Sequence, residues 1–359
     1  MSTLQISLAV VGGLVLAGVV AHSTWTARKN QPKRATPEVN PEPREQIEPG
    51  LHDEGASTDP LAHRQEPSFD GDSGLGALAH AMAPEKKPGL DALIDVIAPV
   101  VIDSVVSGEA ALAAMPSTRR AGSKPFGVEG LSVATGEWEF PAASHRYSAF
   151  QCGVQLANRM GALNQIEYSE FVMKTQAFAD AIGGEPEFPE MLDEVARARE
   201  LDQFASAHDA QLSFTLRAVH TAWSPGYVQQ NAARLGFVAG VIPGRMVLPA
   251  PQQGNAPMLG LAFDTQAAMA EDPEQTALRE VTLSLDVPQV MRTEQPFVRM
   301  REAAVALATA MDGAIIDDNG NVIHSEAMDV IGSELEQLYD TLDERDLSAG
   351  SALARRLFS

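Results

Sequence analysis

Two stretches of the chain repeat one pattern at a constant spacing. Residues 150–156 (FQCGVQL) and 280–286 (EVTLSLD) alternate apolar and polar side chains, and Cys152, Val154 and Leu156 match Val281, Leu283 and Leu285 at one constant offset. Residues 179–184 (ADAIGG) match residues 308–313 (ATAMDG) at that same offset. Alternation at period two predicts a strand, and the apolar spacing that follows predicts an amphipathic helix ending near a glycine. A repeat of this length predicts two domains of the same kind, which strongly limits how the chain can fold.

The front halves of the two copies correspond more weakly. Residues 91–96 resemble residues 209–214, and a helix is introduced by residues 107–109 (SGE) in the first copy and by residues 224–226 (SPG) in the second. The predicted order in each copy is β-α-β-β-β-α-β-α. The fold class is therefore α+β, with two tandem split β-α-β domains, each an antiparallel sheet covered by helices on one face. We place these domains at residues 89–206 and 207–345, followed by a tail at residues 346–359.

The ends of the two main helices can also be predicted. Asn164 and Thr293 are the expected N-caps, because short polar side chains can accept the free amides of a first turn. Gly184 and Gly313 are expected just beyond the C-termini, where a left-handed residue commonly ends a helix. Residues 314–323 (AIIDDNGNVI) predict a hairpin with an Asn-Gly turn.

The N-terminal residues predict a membrane anchor. Residues 4–21 carry no charge, and with the flanking residues the apolar stretch reaches about 20 residues, enough to span a bilayer core. Trp25 suits the membrane interface, and Arg28 and Lys29 follow it. A cleaved signal peptide would need basic residues before the apolar run, which are missing. We therefore expect an uncleaved, single-pass anchor at residues 1–27, with a periplasmic N-terminus and cytoplasmic domains.

Composition restricts the function further. The chain has 26 basic and 48 acidic residues, a formal charge of −22 that argues against a nucleic-acid partner. Residues 28–88 are rich in Pro and Glu and poor in apolar residues, so we expect a disordered linker. About 60 flexible residues would reach on the order of 45 Å. The single cysteine, Cys152, excludes an internal disulfide.

The residues offer no catalytic constellation. No two of the eight histidines are four residues apart, and no phosphate loop or nucleophile elbow is present. Cys152 is expected on the buried face of its strand, where it would act as a small apolar residue. We therefore predict a protein that is not an enzyme and that has no metal, cofactor or small-molecule substrate.

Several motifs together resemble the ZipA family, which anchors the bacterial division ring. At the N-terminus they are residues 19–22 (VVAH) and 25–29 (WTARK), and in the second copy residues 235–237 (LGF), 280–288 (EVTLSLDVP) and 311–318 (MDGAIIDD). The resemblance implies a cell-division function in which the second copy binds the C-terminal tail of FtsZ and tethers FtsZ polymers to the inner membrane for septum assembly. The first copy then resembles a diverged duplicate.

The resemblance also implies a binding groove on the open sheet face. Carried over position by position, the groove residues are Gln211, Ile242, Gly244, Asp264, Gln266 and Ser284. Only Ile242 is apolar, whereas a helical peptide usually docks in a hydrophobic groove. Two alternatives therefore stay open. The chain could be a membrane-tethered adaptor for another division or envelope protein, or a periplasmic glycan-binding module with the opposite topology.

Overall fold

The computed structural model describes residues 32–35 and 89–359, apart from residues 253, 273, 274 and 318. The predicted anchor, with Trp25, Arg28 and Lys29, and most of the predicted linker lie outside these residues. Among the helices that are described, none combines the length and the apolar character needed to cross a bilayer. We refer to residues 89–208 as the first lobe and to residues 209–345 as the second lobe.

The first lobe is an antiparallel sheet with the strand order β3-β4-β6-β1-β9. Its strands are β1 (Asp95–Ile102), β2 (Val106–Ser107), β3 (Arg120–Ala121), β4 (Lys124–Ser132), β5 (Trp138–Glu139), β6 (Arg146–Gln155), β7 (Ala157–Asn158), β8 (Gly161–Ala162) and β9 (Gly184–Pro186). Its helices are α1 (Gly108–Ala114), α2 (Gln165–Ile182) and α3 (Met191–His208). Phe150 lies on the inner face of the sheet and meets Phe178 of α2 edge to face, with ring centroids 5.4 Å apart.

The second lobe is an antiparallel sheet with the order β11-β12-β13-β14-β10-β15. Its strands are β10 (Gln211–Ala218), β11 (Val238–Ala239), β12 (Arg245–Leu248), β13 (Leu259–Ala262), β14 (Glu280–Asp286) and β15 (Gly313–Ile316). Its helices are α4 (Pro225–Ala233), α5 (Thr265–Ala268), α6 (Pro296–Met311) and α7 (Ser325–Asp343). Phe214 on the inner face packs against Phe297 of α6, with ring centroids 6.3 Å apart.

Four strands of each lobe share one arrangement. The order β4-β6-β1-β9 in the first lobe has the same sequence of neighbours as β13-β14-β10-β15 in the second. Val96 lies opposite Val154, and Phe214 lies opposite Leu283. The sequence repeat relates Val96 to Phe214 and Val154 to Leu283, so corresponding residues are paired in both lobes. A common origin of the two lobes stays a prediction.

The helix ends follow the expectation in part. Asn164 caps α2 as predicted, because its side chain accepts the amides of Ile166 and Glu167. Thr293 is not the N-cap of α6: the helix begins at Pro296, which fits the first turn because it has no amide to leave unpaired.

The predicted C-terminal glycines are each one residue too late. Gly183 and Asp312 hold the left-handed conformation, with φ of 69° and 59°. Gly313 instead begins β15, where an added Cβ would lie 3.0 Å from the Trp223 indole, so the packing there is tight for any side chain.

Residues 346–359, which the sequence set apart as a tail, contain helix α8 (Ala352–Leu357). Leu357 and Phe358 are buried. On the first lobe, Gln155 Nε2 donates to the carbonyl of Arg356 at 2.8 Å, and on the second, Gln289 Nε2 donates to the carbonyl of Phe358 at 2.7 Å. This segment therefore packs on both lobes, which together form one compact unit.

Candidate interaction surface

The outer face of the second sheet carries two transverse rows of side chains. The row through the centre runs Val238, Val247, Gly260, Ser284 and Ser213 across five neighbouring strands. The next row runs Arg245, Ala262, Thr282 and Thr215. Small and polar residues thus form the floor of this face, and apolar residues occur at its β11–β12 edge.

The centre of this floor is shallow. Ser284 is exposed, and an added Cβ at Gly260 would lie 2.7 Å from Ser284 Oγ. Larger side chains at these positions would therefore fill the surface. A partner segment can approach the backbone of β13 and β14 closely here, which is a usual reason for glycine in a strand.

The apolar edge is the hairpin that joins β11 and β12. Ile242 is 58% exposed, Val241 is fully exposed and Val238 is 50% exposed. The hairpin is held by the amide of Gly240, which donates to the Arg245 carbonyl at 2.8 Å. The sequence reasoning identified only Ile242; the uninterrupted apolar stretch FVAGVI at residues 237–242 was the signal for the others.

Two of the residues that the resemblance places in the groove, Gly244 and Asp264, also have structural roles. Gly244 has a φ of +77°, and an added Cβ would lie 2.7 Å from the Phe263 carbonyl oxygen. Asp264 caps α5 by accepting the Gln266 amide at 2.8 Å. Gly244 and Asp264 therefore shape the end of the sheet, while the exposed Gln266 side chain lies beside them on α5.

Gln211 lies apart from that group. It begins β10 opposite Asp286, and with its amide oriented to satisfy its neighbours it accepts a hydrogen bond from Arg159 Nη2 at 3.0 Å. Arg159 comes from the β7–β8 turn of the first lobe and also donates to Asp209 and to Asp286. These hydrogen bonds, first of all those to Asp209, raise the pKa of Arg159 and keep its charge fixed. Arg159 of the first lobe thus borders the face at Gln211, which itself remains exposed.

The outer face of the first sheet is already occupied at its centre. Leu90 lies over Gly127 and Gly153, and its side chain would be 2.6 Å from a Cβ placed on Gly153. The buried Glu129 carboxylate accepts the Leu90 amide at 3.0 Å and Gln151 Nε2 at 2.8 Å. Leu90 therefore covers the position that corresponds to the open floor of the second lobe.

Aromatic residues of the first lobe divide between core and surface. Tyr147 is fully buried, and its hydroxyl donates to Glu139 at 3.1 Å. Trp138 and Phe140 remain 37% and 39% exposed at the sheet edge. The hydrogen bond from His145 holds the pKa of Glu139 below its usual range. Tyr147 therefore belongs to the packing around β5, while Trp138 and Phe140 keep part of their surface exposed.

Comparison with protein families shows what the second lobe is similar to. Residues 265–334 match the family model described as the ZipA C-terminal FtsZ-binding domain. This part of the chain is ZipA-like. The matched residues contain the central strand β14, helix α6 and the edge strand β15, and they include Gln266 and Ser284 of the carried-over positions. A comparison with curated proteins finds no match.

The family match concerns a binding domain rather than an enzyme. The Cys152 thiol is fully buried, and burial raises its pKa to about 12, so it is not a nucleophile at neutral pH. Among the residues that the structure describes, no group of three His, Cys, Asp or Glu side chains is arranged to hold a metal ion.

Proposed function

We propose that this chain is a non-enzymatic cell-division protein that binds the C-terminal tail of FtsZ through the outer face of its second lobe. The observation that carries the proposal is the family match at residues 265–334, since the family is an FtsZ-binding domain and the match includes the centre of that face. The exposed apolar hairpin beside the shallow floor supports it, because apolar anchors supply most of the energy in peptide docking.

The proposal includes attachment to the inner membrane by residues 1–27, with the lobes in the cytoplasm. Confinement at a surface raises the effective concentration of the lobes near a polymer that displays many tails. Weak individual contacts then suffice to hold FtsZ polymers at the membrane and to support the septal ring. No cofactor or nucleic acid takes part, in keeping with the net charge of −22.

Binding can be tested with three matched substitutions in the full-length chain. Ile242→Glu places a charge at the apolar hairpin, and Val330→Glu places the same charge on α7, at a residue that is equally 58% exposed. Val101→Glu tests the outer face of the first lobe, where Val101 is 64% exposed. We expect Ile242→Glu to weaken binding of an FtsZ tail peptide at least about tenfold, which is about 1.4 kcal/mol. The other two should bind like the wild type in fluorescence anisotropy.

Other patterns of binding would point elsewhere. Loss of binding in Val101→Glu alone would assign the tail to the first lobe. Equal binding by all four proteins would remove the hairpin from the site. Membrane topology can be tested separately with a phosphatase fused after residue 359. Activity in the periplasm would overturn the cytoplasmic placement and favour the glycan-binding alternative.

A second candidate function is that of an adaptor for a different division or envelope protein. The observation that favours it is the polar floor of the second sheet, with Ser213, Ser284, Thr215 and Thr282 in adjacent positions. Such a floor suits an extended segment that makes polar contacts better than an apolar helix. No binding of the tail peptide at tens of micromolar by the wild-type chain would favour this function.

A further inference from the structure

The segment at residues 32–35 pairs with the second lobe. The Lys33 amide donates to the Ala222 carbonyl at 2.7 Å, and the Ser224 amide donates to the Lys33 carbonyl at 2.8 Å. Lys33 therefore forms a parallel β-bridge with Trp223, the residue between Ala222 and Ser224. Trp223 in turn exchanges two backbone hydrogen bonds, both 2.8 Å long, with Leu278. Lys33 thus adds an outer element to backbone pairing that already exists in this lobe.

The Lys33 side chain has a specific place as well. Its Nζ donates to the Met311 carbonyl at 2.9 Å and lies 3.6 Å from the Asp312 carboxylate. Met311 is the last residue of α6, so its carbonyl lies at the negative end of the helix dipole, where a cation is favoured. Trp223 Nε1 donates to the same carbonyl at 2.8 Å, which fixes the acceptor in position.

The groups that set the charge around the Lys33 side chain are Asp312 and His220. Asp312 also accepts from His220 Nδ1 at 3.1 Å, and this hydrogen bond, together with the charge of Lys33, lowers the pKa of the Asp312 carboxyl. Asp312 is therefore ionised at neutral pH and attracts Lys33. The Lys33 side chain is 29% exposed, so the ion pair itself is only partly shielded from water. The backbone pairing then supplies most of the specificity.

We propose that residues 32–35 act as an intramolecular clasp that holds the start of the chain on the second lobe. A second part of the proposal rests on the proposed membrane anchor. With that anchor in the bilayer, the clasp limits the distance between the membrane and the second lobe. Lys33 lies eight positions after Trp25, and a fully extended chain of that length spans at most about 28 Å. The second lobe is then held next to the bilayer. The span from residue 36 to residue 88 starts and ends on the same compact unit, so its length does not set the reach of the lobes.

The clasp leaves the proposed binding face accessible. Lys33 contacts the C-terminal end of α6 and the loop after β10, whereas the floor of the face is centred on Ser284, opposite Ser213. Clasp variants should therefore bind the FtsZ tail peptide with unchanged affinity. This separates failure of the clasp from failure of the proposed function.

Hydrogen exchange of the full-length chain in detergent tests the clasp directly. Lys33→Pro removes the amide that donates to Ala222, and Lys33→Glu places a like charge beside Asp312. The matched control for Lys33→Glu is Arg34→Glu, which makes the same change of charge at the neighbouring, exposed residue. We expect the Ser224 amide to exchange at least tenfold faster in both Lys33 variants than in the control and the wild type. Unchanged protection of the β14 amides would show that the lobe remains folded.

Reconstitution into vesicles tests the geometric consequence. A fluorophore on Glu326→Cys can be paired with an acceptor in the lipid, since the buried Cys152 does not compete for labelling. We expect energy transfer to fall in Lys33→Pro and to stay constant in Arg34→Glu. Equal exchange of the Ser224 amide in wild type and Lys33→Pro would overturn the clasp. If the chain failed to associate with vesicles while the exchange result held, the anchor would be wrong and the clasp would stand.

Discussion

Replacing Arg356 by methionine should leave a buried carboxylate without its cation. Arg356 Nη2 lies 2.5 Å from Asp95 Oδ1, and the Asp95 side chain has no exposed surface. Arg356 also donates to the Gly89 carbonyl at 2.9 Å. Removing one partner of a buried ion pair typically costs 3–5 kcal/mol, because the remaining charge stays desolvated. We expect about 3 kcal/mol, since Asp95 keeps the hydrogen bond from the Asp91 amide at 2.8 Å.

The direction in which the Asp95 pKa shifts determines how the loss of stability depends on pH. Burial raises the pKa of Asp95 above its usual value, and the charge of Arg356 and its hydrogen bond oppose that rise. Without Arg356 the folded-state pKa rises further, so the folded variant takes up a proton at a higher pH than the unfolded chain. Protonation then favours folding. The difference in stability between variant and wild type should therefore be largest near pH 8 and should shrink as the pH falls towards 5.

The assay is urea unfolding of the full-length chain, followed through tryptophan fluorescence, to which Trp138 of the first lobe and the buried Trp223 of the second both contribute. Arg355→Met is the matched control, because Arg355 lies beside Arg356 on α8 and donates to a neutral acceptor, Asn255 Oδ1, at 2.9 Å. That change should cost about 1 kcal/mol or less. Adding Asp95→Asn to Arg356→Met should recover much of the loss and remove its pH dependence. Equal losses in the two arginine variants, or a loss that grows on acidification, would refute the reasoning.

Three further outcomes follow from the structure. Gly244→Ala forces a side chain onto a φ of +77° next to the Phe263 carbonyl and should cost about 1–3 kcal/mol in urea unfolding. Cys152, whose pKa burial raises to about 12, should react with a thiol reagent at pH 8 at least about 100-fold more slowly in the folded chain than in urea. Arg159→Lys keeps the charge but loses the paired hydrogen bonds to Asp209 and Asp286, and because the site is partly exposed the loss should be about 1 kcal/mol, read from the urea midpoint.

The elements that depend on local patterns could be predicted from the sequence. Alternation in residues 280–286 correctly placed Val281, Leu283 and Leu285 on the buried face. The Asn164 cap was predictable because its partners are two and three residues away.

The features that depend on distant segments could not be predicted in this way. Alternation in residues 150–156 places Gln155 on the face opposite Cys152, which we expect to be open, yet Gln155 is buried because helix α8 packs there and its Arg356 carbonyl, 201 positions away, accepts a hydrogen bond from Gln155. Leu90 covers Gly153 for a similar reason. Gln211 meets Arg159 of the other lobe. Alternation within a strand identifies its two faces, but it does not identify what covers the outer one.

The return of helix α8 also affects how the chain reaches its folded state. The ion pair between Asp95 and Arg356 joins positions 261 apart. The first lobe therefore cannot complete its packing around the start of β1 until residues that follow the whole second lobe are available. Contacts of such separation slow folding, because a long loop must close before they form. During synthesis the Asp95 carboxylate lacks its Arg356 partner until residue 356 has emerged. We therefore expect a late, slow kinetic phase in refolding that is missing from a chain ending at residue 345, whose first lobe stays incomplete.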